Sequence, residues 1–355
     1  MEHTIQITRP DEGSAIAVAE ILSSSDVWDM TLPWIWGPIC WDLDVLARYK
    51  RVGYTFVSLT LQDWPPTLEG MRTQIQQFRD LVSEHSEWLV IGTSVADIDK
   101  GRRDGKLVVG FHSQETRPIG ENLTNIEALH AMGVRHMVLA YNVRNVIADG
   151  CAETADAGLS NFGRQVVREM NRVGVLVDCS HTGRRSSLEA IDLSERPVIF
   201  SHSNAYSVCP HIRNIHDDQI RACAARGGVI GVVGVGGFLG EINARSESVF
   251  KHIDYISDLV GPAHVGLGTD YVKIFPKAEN IAIWEAIDRN GKPWPDPANA
   301  WPNPTGTQIR GAETHCFAPE QLVELVQLML AHGYSRDVIR MILGGNFRRV
   351  YNTVC

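Results

Sequence analysis

Two histidines close two consecutive apolar runs: His181 ends GVLVDCSH (174–181) and His202 falls at the end of PVIFSHS (197–203), with one helix-length segment between them. In a parallel β/α architecture the C-terminal ends of neighbouring strands open into one mouth, which would place the two imidazoles side by side. Neutral imidazole is a ligand for zinc and similar divalent ions, and a catalytic ion keeps a position open for water. The alternative for the pair is two hydrogen-bonded strand-end histidines.

The ends of the other apolar runs are polar as well: Asp29 and Thr31, His112 and Gln114, Tyr141, and Asp270. Leaving polar groups unpaired near a core costs roughly 1–3 kcal/mol each, so a ring of them at equivalent depth reads as a site. Asp270, in HVGLGTD (264–270), is a candidate general base or anchor for a substrate amine, or else caps the loop after its strand. Arg213 lies in SHSNAYSVCPHIRNIHDD (201–218), and its guanidinium suits bidentate capture of a substrate carboxylate unless it pairs with Asp217 or Asp218. Tyr141 is placed to donate a hydrogen bond to an oxyanion. His211 and His216 are read as loop residues.

Positioning such a ring takes a barrel. Eight short apolar runs recur, at 25–32, 54–61, 107–114, 136–142, 174–181, 197–203, 228–236 and 264–270, separated by amphipathic segments such as NFGRQVVREMNRVG (161–174) and LTNIEALHAMG (123–133). Strands buried on both faces and alternating with helices predict an α/β fold, a (β/α)8 TIM barrel over about 25–270. The Pro- and Trp-rich stretch 271–318, which contains GKPWPDPANAWPNPTG, is too proline-dense for a regular element and is predicted to cover the mouth as a lid. Two helical patterns broken by Gly333 fill 319–354, and the 355 residues are expected to form a single domain.

Composition removes other classes. The net charge of −9 without a long basic run argues against nucleic acid. No apolar run reaches the ~20 residues that span a bilayer, and MEHTIQITRPDEGS has neither the basic start nor the apolar core of a secretory signal, so a cytoplasmic protein without a membrane partner is expected. Seven cysteines, none spaced as CxxC, read as reduced thiols. GVGGFLG (234–240) lacks the context of a nucleotide fingerprint, and no GxSxG elbow is present.

With these residues in place, the chain resembles the membrane (renal) dipeptidase family of amidohydrolase-like metal barrels. The likeness rests on GLSNFGRQVVREMNRVGVLVDCSH, RPVIFSHSNAYSVCPHIRNIHDD, HVGLGTD and LGGNFRRV. It implies a commonly dimeric barrel that hydrolyses a dipeptide or related small amide with a free carboxylate, using metal-activated water. His181 and His202 match the family's two histidines on one zinc, Arg213 its carboxylate-binding arginine, and Asp270 the acid beside the substrate amine and water. The first half departs from the pattern. Asp29 and Thr31 stand where the family has a His-x-Asp pair, His112 where it has a metal-bridging glutamate, and Tyr141 where it has a histidine.

A single imidazole nitrogen cannot bridge two dications as a carboxylate does, so one zinc ion is expected rather than two, with Asp29, His112, His181 and His202 as candidate ligands. The reading is a metal-dependent, dipeptidase-like hydrolase with Asp270 and Tyr141 catalytic, Arg213 and Tyr141 binding substrate, and a homodimer expected. The altered ring leaves two alternatives: a metal-assisted hydrolase or lyase for a non-peptide metabolite, and a metal-free barrel with a binding role only.

Overall fold

A computed structural model describes residues 12–33, 43–61, 67–272 and 315–355. Helix α1 (Glu12–Ser24) precedes β1 (Trp28–Pro33), and α2 (Leu43–Val52), β2 (Phe56–Leu61), α3 (Leu68–Glu84), β3 (Leu89–Ile91), α4 (Val95–Arg103) and β4 (Leu107–Ser113) follow. The repeat continues through α5 (Thr124–Ala131), β5 (Val134–Val138), α6 (Asn161–Val173), β6 (Leu176–Asp178), α7 (Arg184–Leu193) and β7 (Ile199–Phe200). It ends with α8 (Asp217–Ala225), β8 (Val229–Val232), α9 (Gly236–Leu239), α10 (Ser246–Val260) and β9 (Val265–Leu267).

The strand order is β1-β2-β4-β5-β6-β7-β8-β9, with every pairing parallel. This is the predicted α/β barrel with one addition. The short β3, not anticipated from sequence, pairs with the first residues of β4 (Leu89↔Leu107 to Ile91↔Val109), and β5 takes over the same edge from Phe111 onward. Its three residues are too few to show a period. All seven residues of β4 are buried, as a strand covered on both faces requires.

Local chemistry sets the helices. In α6 the Ser160 side chain accepts from the Gly163 N–H, Val166, Val167 and Met170 turn inward, and Gly174 ends the helix at φ +91°. Near the C-terminus, α11 (Leu322–Ala331) stops before Gly333 at φ +81°, and α12 (Arg336–Arg340) runs through a π turn into α13 (Asn346–Val354).

The two ends of the barrel differ. At the N-terminal end Trp28, Phe56, Leu176, Ile199 and Val229, the first residues or nearly so of their strands, meet Phe347 and Tyr351 of α13 in an apolar plug. Trp28 lies 4.9 Å from Phe56 between ring centroids. That plug leaves the C-terminal end for chemistry. There β7 is held very close to its neighbours: a Cβ on Gly231 would lie 2.0 Å, and one on Gly268 1.8 Å, from the Ser201 carbonyl oxygen. The lid expected at 271–318 falls mostly outside the described residues. Of it, Cys316 makes an isolated antiparallel bridge with Val235. No helix among the described residues is long and apolar enough to cross a membrane.

Candidate active site

Asp178, the last residue of β6, ties two strand ends together: its Oδ1 accepts from the N–H of Ser180 at 2.9 Å and of Ser201 at 3.1 Å. The Ser180 hydroxyl accepts from the His202 N–H at 3.1 Å. These bonds set His181 against His202, with Nε2 to Nε2 2.8 Å. An amide oxygen only accepts, so the 2.6 Å contact of His181 Nδ1 with Asn142 Oδ1 is an N–H donation that turns the Nε2 lone pair toward His202. His202 Nδ1 lies 2.6 Å from Ser201 Oγ and 3.1 Å from Thr31 Oγ1. Burial, and then the Arg213 cation, hold both rings well below the usual imidazole range, so both are neutral at pH 7. An oxygen behind each ring is the arrangement that orients a metal-ligating histidine.

Arg213 is 2% exposed. Its Nη2 donates to the His202 carbonyl at 2.9 Å, its Nη1 reaches Ser203 Oγ at 3.4 Å, and the guanidinium lies 5.6 Å from the Phe238 ring centroid. Its buried Nε has no hydrogen-bond partner. The ion pair to Asp217 or Asp218 is not made: Asp218 pairs with Arg184 at 2.8 Å, and Asp217 accepts from Ser207 and Tyr255. A buried cation without a carboxylate is costly to keep, which marks the position as one an anion completes. A cavity of about 260 Å³ opens there, lined in part by Cys151, His181, Tyr206, Ile212 and Arg213.

Asp270 donates its N–H to the Thr31 carbonyl at 3.0 Å, and its carboxyl faces the Gln114 side chain, which favours the ionised form. Burial pushes that carboxyl up to about 6 against the pull of Arg213, with Asp29 adding to the rise. The Tyr141 ring stacks on His181 at 4.1 Å, and burial, then Asp270, raises its phenol above the usual range and keeps it a neutral donor. Asn142, His181 and Asp270 have φ of +63°, +61° and +55°, a conformation costing of order 1 kcal/mol or more each for residues with a Cβ.

Two of the four expected metal ligands are not brought to the pair. Asp29 spends its carboxylate on the backbone N–H groups of Thr31 and Thr269 (3.0 and 2.8 Å), the Tyr49 hydroxyl (2.9 Å) and the Thr269 hydroxyl (2.5 Å). That set clasps β1 to the segment after β9. His112 has Nδ1 2.9 Å from Ser58 Oγ and Nε2 3.0 Å from Thr60 Oγ1, and its ring stacks on His136 at 4.3 Å. Every donor atom of both side chains is therefore engaged by protein. Among the described residues no group of three or more His, Cys, Asp or Glu side chains is arranged to hold a metal ion. The sequence reading missed Asn142, Ser201, Asp178 and His136. Asp178 and His136 carried a signal, being an acid and an imidazole inside the apolar runs VLVDCS and VRHMVLA, where a polar group needs a partner.

The model of the membrane dipeptidase family, peptidase family M19, matches residues 42–284. Dipeptidase tcpJ of Claviceps purpurea (strain 20.1) is 31% identical over 285 residues, covering 79% of this chain and 59% of that protein. An uncharacterized dipeptidase of Schizosaccharomyces pombe is 32% identical over 247 residues, 64% of this chain and 59% of that protein. The chain thus spans little more than half the length of these curated relatives. Among solved structures, an amidohydrolase from Pseudomonas aeruginosa superposes with a TM-score of 0.82 at 27% identity, over 95% of this chain and 98% of that one. A metallo peptidase from Rhodobacter sphaeroides, liganded with a phosphinate mimic of L-Ala-D-Ala, shares the fold with a TM-score of 0.72 at 19% identity over 93% and 99% of the two chains. The chain, with His181, His202, Arg213 and Asp270 at the C-terminal end of its barrel, is a member of the membrane dipeptidase family, peptidase family M19.

Proposed function

We propose that the protein is a dipeptidase-like hydrolase that cleaves a small amide carrying a free carboxylate, with one divalent ion, zinc, held by His181 and His202. The observation that carries this reading is Arg213: a guanidinium buried to 2% exposure, its Nε unpartnered, lining with His181 a partly open cavity. A substrate carboxylate would complete it with charge-assisted bonds.

The donor set fits one ion better than two. Two neutral imidazoles backed by Asn142, Ser201 and Thr31 make a ligand pair, while Asp29 and His112 are consumed elsewhere. Catalytic zinc commonly takes three protein ligands, and the described residues supply two. When bound, such an ion supplies Lewis acidity and lowers the pKa of water toward about 7.

The remaining steps belong to the chain. Arg213 holds the carboxylate, and the neutral Tyr141 phenol donates to the oxygen that gains charge as water adds to the amide carbon. Asp270, mostly ionised at pH 7, accepts a proton from that water and returns it to the leaving nitrogen as the C–N bond breaks. Purified protein is tested against a dipeptide panel with and without added zinc. Turnover that a chelator removes and zinc restores is expected; absence of turnover in all conditions overturns the reading.

A metal-free binding barrel is the second reading, favoured by the direct 2.8 Å contact between the two imidazoles. It requires calorimetric dipeptide binding that persists in chelator and disappears in Arg213→Ala.

A further inference from the structure

Beneath the histidine pair, an unbroken hydrogen-bond chain crosses the barrel. Asp178 Oδ2 lies 3.2 Å from His136 Nδ1, and His136 Nε2 lies 3.1 Å from Ser58 Oγ. Ser58 Oγ is 2.9 Å from His112 Nδ1, and His112 Nε2 is 3.0 Å from Thr60 Oγ1. Thr60 accepts from Gln114 Nε2 at 3.2 Å, and the Gln114 side chain faces the Asp270 carboxyl, whose pKa it pulls down. Asp178, His136, Ser58, His112, Thr60 and Gln114 are each no more than 2% exposed.

The polarity follows from the Asp178 end. A carboxylate only accepts, so with one proton on each imidazole His136 carries its proton on Nδ1 and takes the Ser58 hydroxyl proton at Nε2. Ser58 then accepts from His112 Nδ1–H, and His112 Nε2 takes the Thr60 hydroxyl proton while Thr60 accepts from Gln114. The four inner members, His136, Ser58, His112 and Thr60, each have one donor and one acceptor in use, as a buried polar network must to be stable. Burial keeps His112 far below the usual imidazole range, in agreement with this single-proton state.

We infer that this chain replaces the second half of the family's metal centre, so that His112 is a positioning residue: through Thr60 and Gln114 it orients Asp270 and binds no metal. The functional part of this inference rests on the role proposed for Asp270, whereas its structural part does not. No other donor is left on His112 for an ion, and a dication in place of the ring protons would break the network at both nitrogens.

The test separates the two parts. Zinc bound per chain after equilibrium dialysis is measured for the wild type, His112→Gln and Gln114→Leu. In parallel, the imidazole N–H resonances of His112 and His136 are followed by 15N-edited NMR during a zinc titration of the wild type, which needs no variant to fold. Unchanged zinc content in both variants, with His112 and His136 resonances that survive the titration, is expected. Loss of zinc in folded His112→Gln, or loss of the His112 resonance on adding zinc, overturns the inference whether or not the protein turns over any amide. Where the wild type hydrolyses a dipeptide, Gln114→Leu is expected to lower kcat about tenfold with KM within about twofold, as removal of an orienting partner does. An unchanged kcat in Gln114→Leu removes the positioning role.

Discussion

His181 Nε2 and His202 Nε2 stand 2.8 Å apart, closer than two nitrogens on one tetrahedral ion. At zinc–nitrogen distances of about 2.0–2.1 Å, ligand nitrogens are separated by about 3.3 Å. Zinc is therefore expected to spread the pair by about half an ångström and to switch His202 to the Nδ1–H tautomer, donating to Ser201 or Thr31. A zinc-soaked crystal structure checks the spread. His181→Ala and His202→Ala are each expected to drop bound zinc to background in elemental analysis.

Arg213 is a case where function and stability oppose one another. Its buried guanidinium has a donor without a partner, so Arg213→Met, of similar length and apolar, is expected to leave stability unchanged or raise it by about 1–3 kcal/mol in denaturant unfolding. The same variant is expected to weaken dipeptide binding at least about 100-fold, since charge-assisted bonds to a carboxylate contribute about 1.5–3 kcal/mol each. A destabilised variant with intact binding contradicts both halves.

The pH profile should report Asp270. Its carboxyl titrates at about 6 instead of near 3.8, chiefly through burial. As a base it is lost when pH falls through 6, so kcat/KM is expected to decline about tenfold per unit below that point, and Asp270→Asn to lower activity about 100-fold or more and erase the limb. For stability the sign is reversed. The folded protein holds this proton more tightly than the unfolded chain does, so the group's stabilising contribution is complete below pH 3.8 and is lost as pH rises to about 6. Unfolding curves of wild type and Asp270→Asn at pH 4 and pH 7 are expected to show the variant gaining relative stability at the higher pH.

Asp29 is expected to behave as a clasp. Asp29→Asn leaves two or more of its four donors badly matched and should destabilise by about 2–4 kcal/mol in urea unfolding, with bound zinc per folded chain unchanged. Loss of zinc in the folded variant would restore Asp29 as a ligand.

Much of the barrel was legible because β-rich apolar runs and amphipathic helices alternate over its whole length, and each of the eight expected runs overlaps one strand, with β1 ending one residue later and β5 beginning two residues earlier than expected. The strand β3 was not, because a three-residue strand such as Leu89–Ile91 leaves no periodic trace. The site was legible in types and only partly in partnerships. His181 and His202 meet because two strand ends share Asp178, a contact that spacing anticipates. The commitments of Asp29 and His112 arise from Thr269, in the segment after β9, and Thr60, on β2, and the direction of a hydrogen bond is not written in a run of residues.

Gly231 and Gly268 carry no functional group, yet they govern where His202 can be. A methyl group on either would meet the Ser201 carbonyl at about half a normal contact distance, and the segment that would yield is the one bearing Ser201, His202 and Ser203. Alanine at Gly231 or Gly268 therefore acts as a mutation of His202 made from the far side of the backbone. The reach of the imidazole toward His181 depends on two absent carbon atoms.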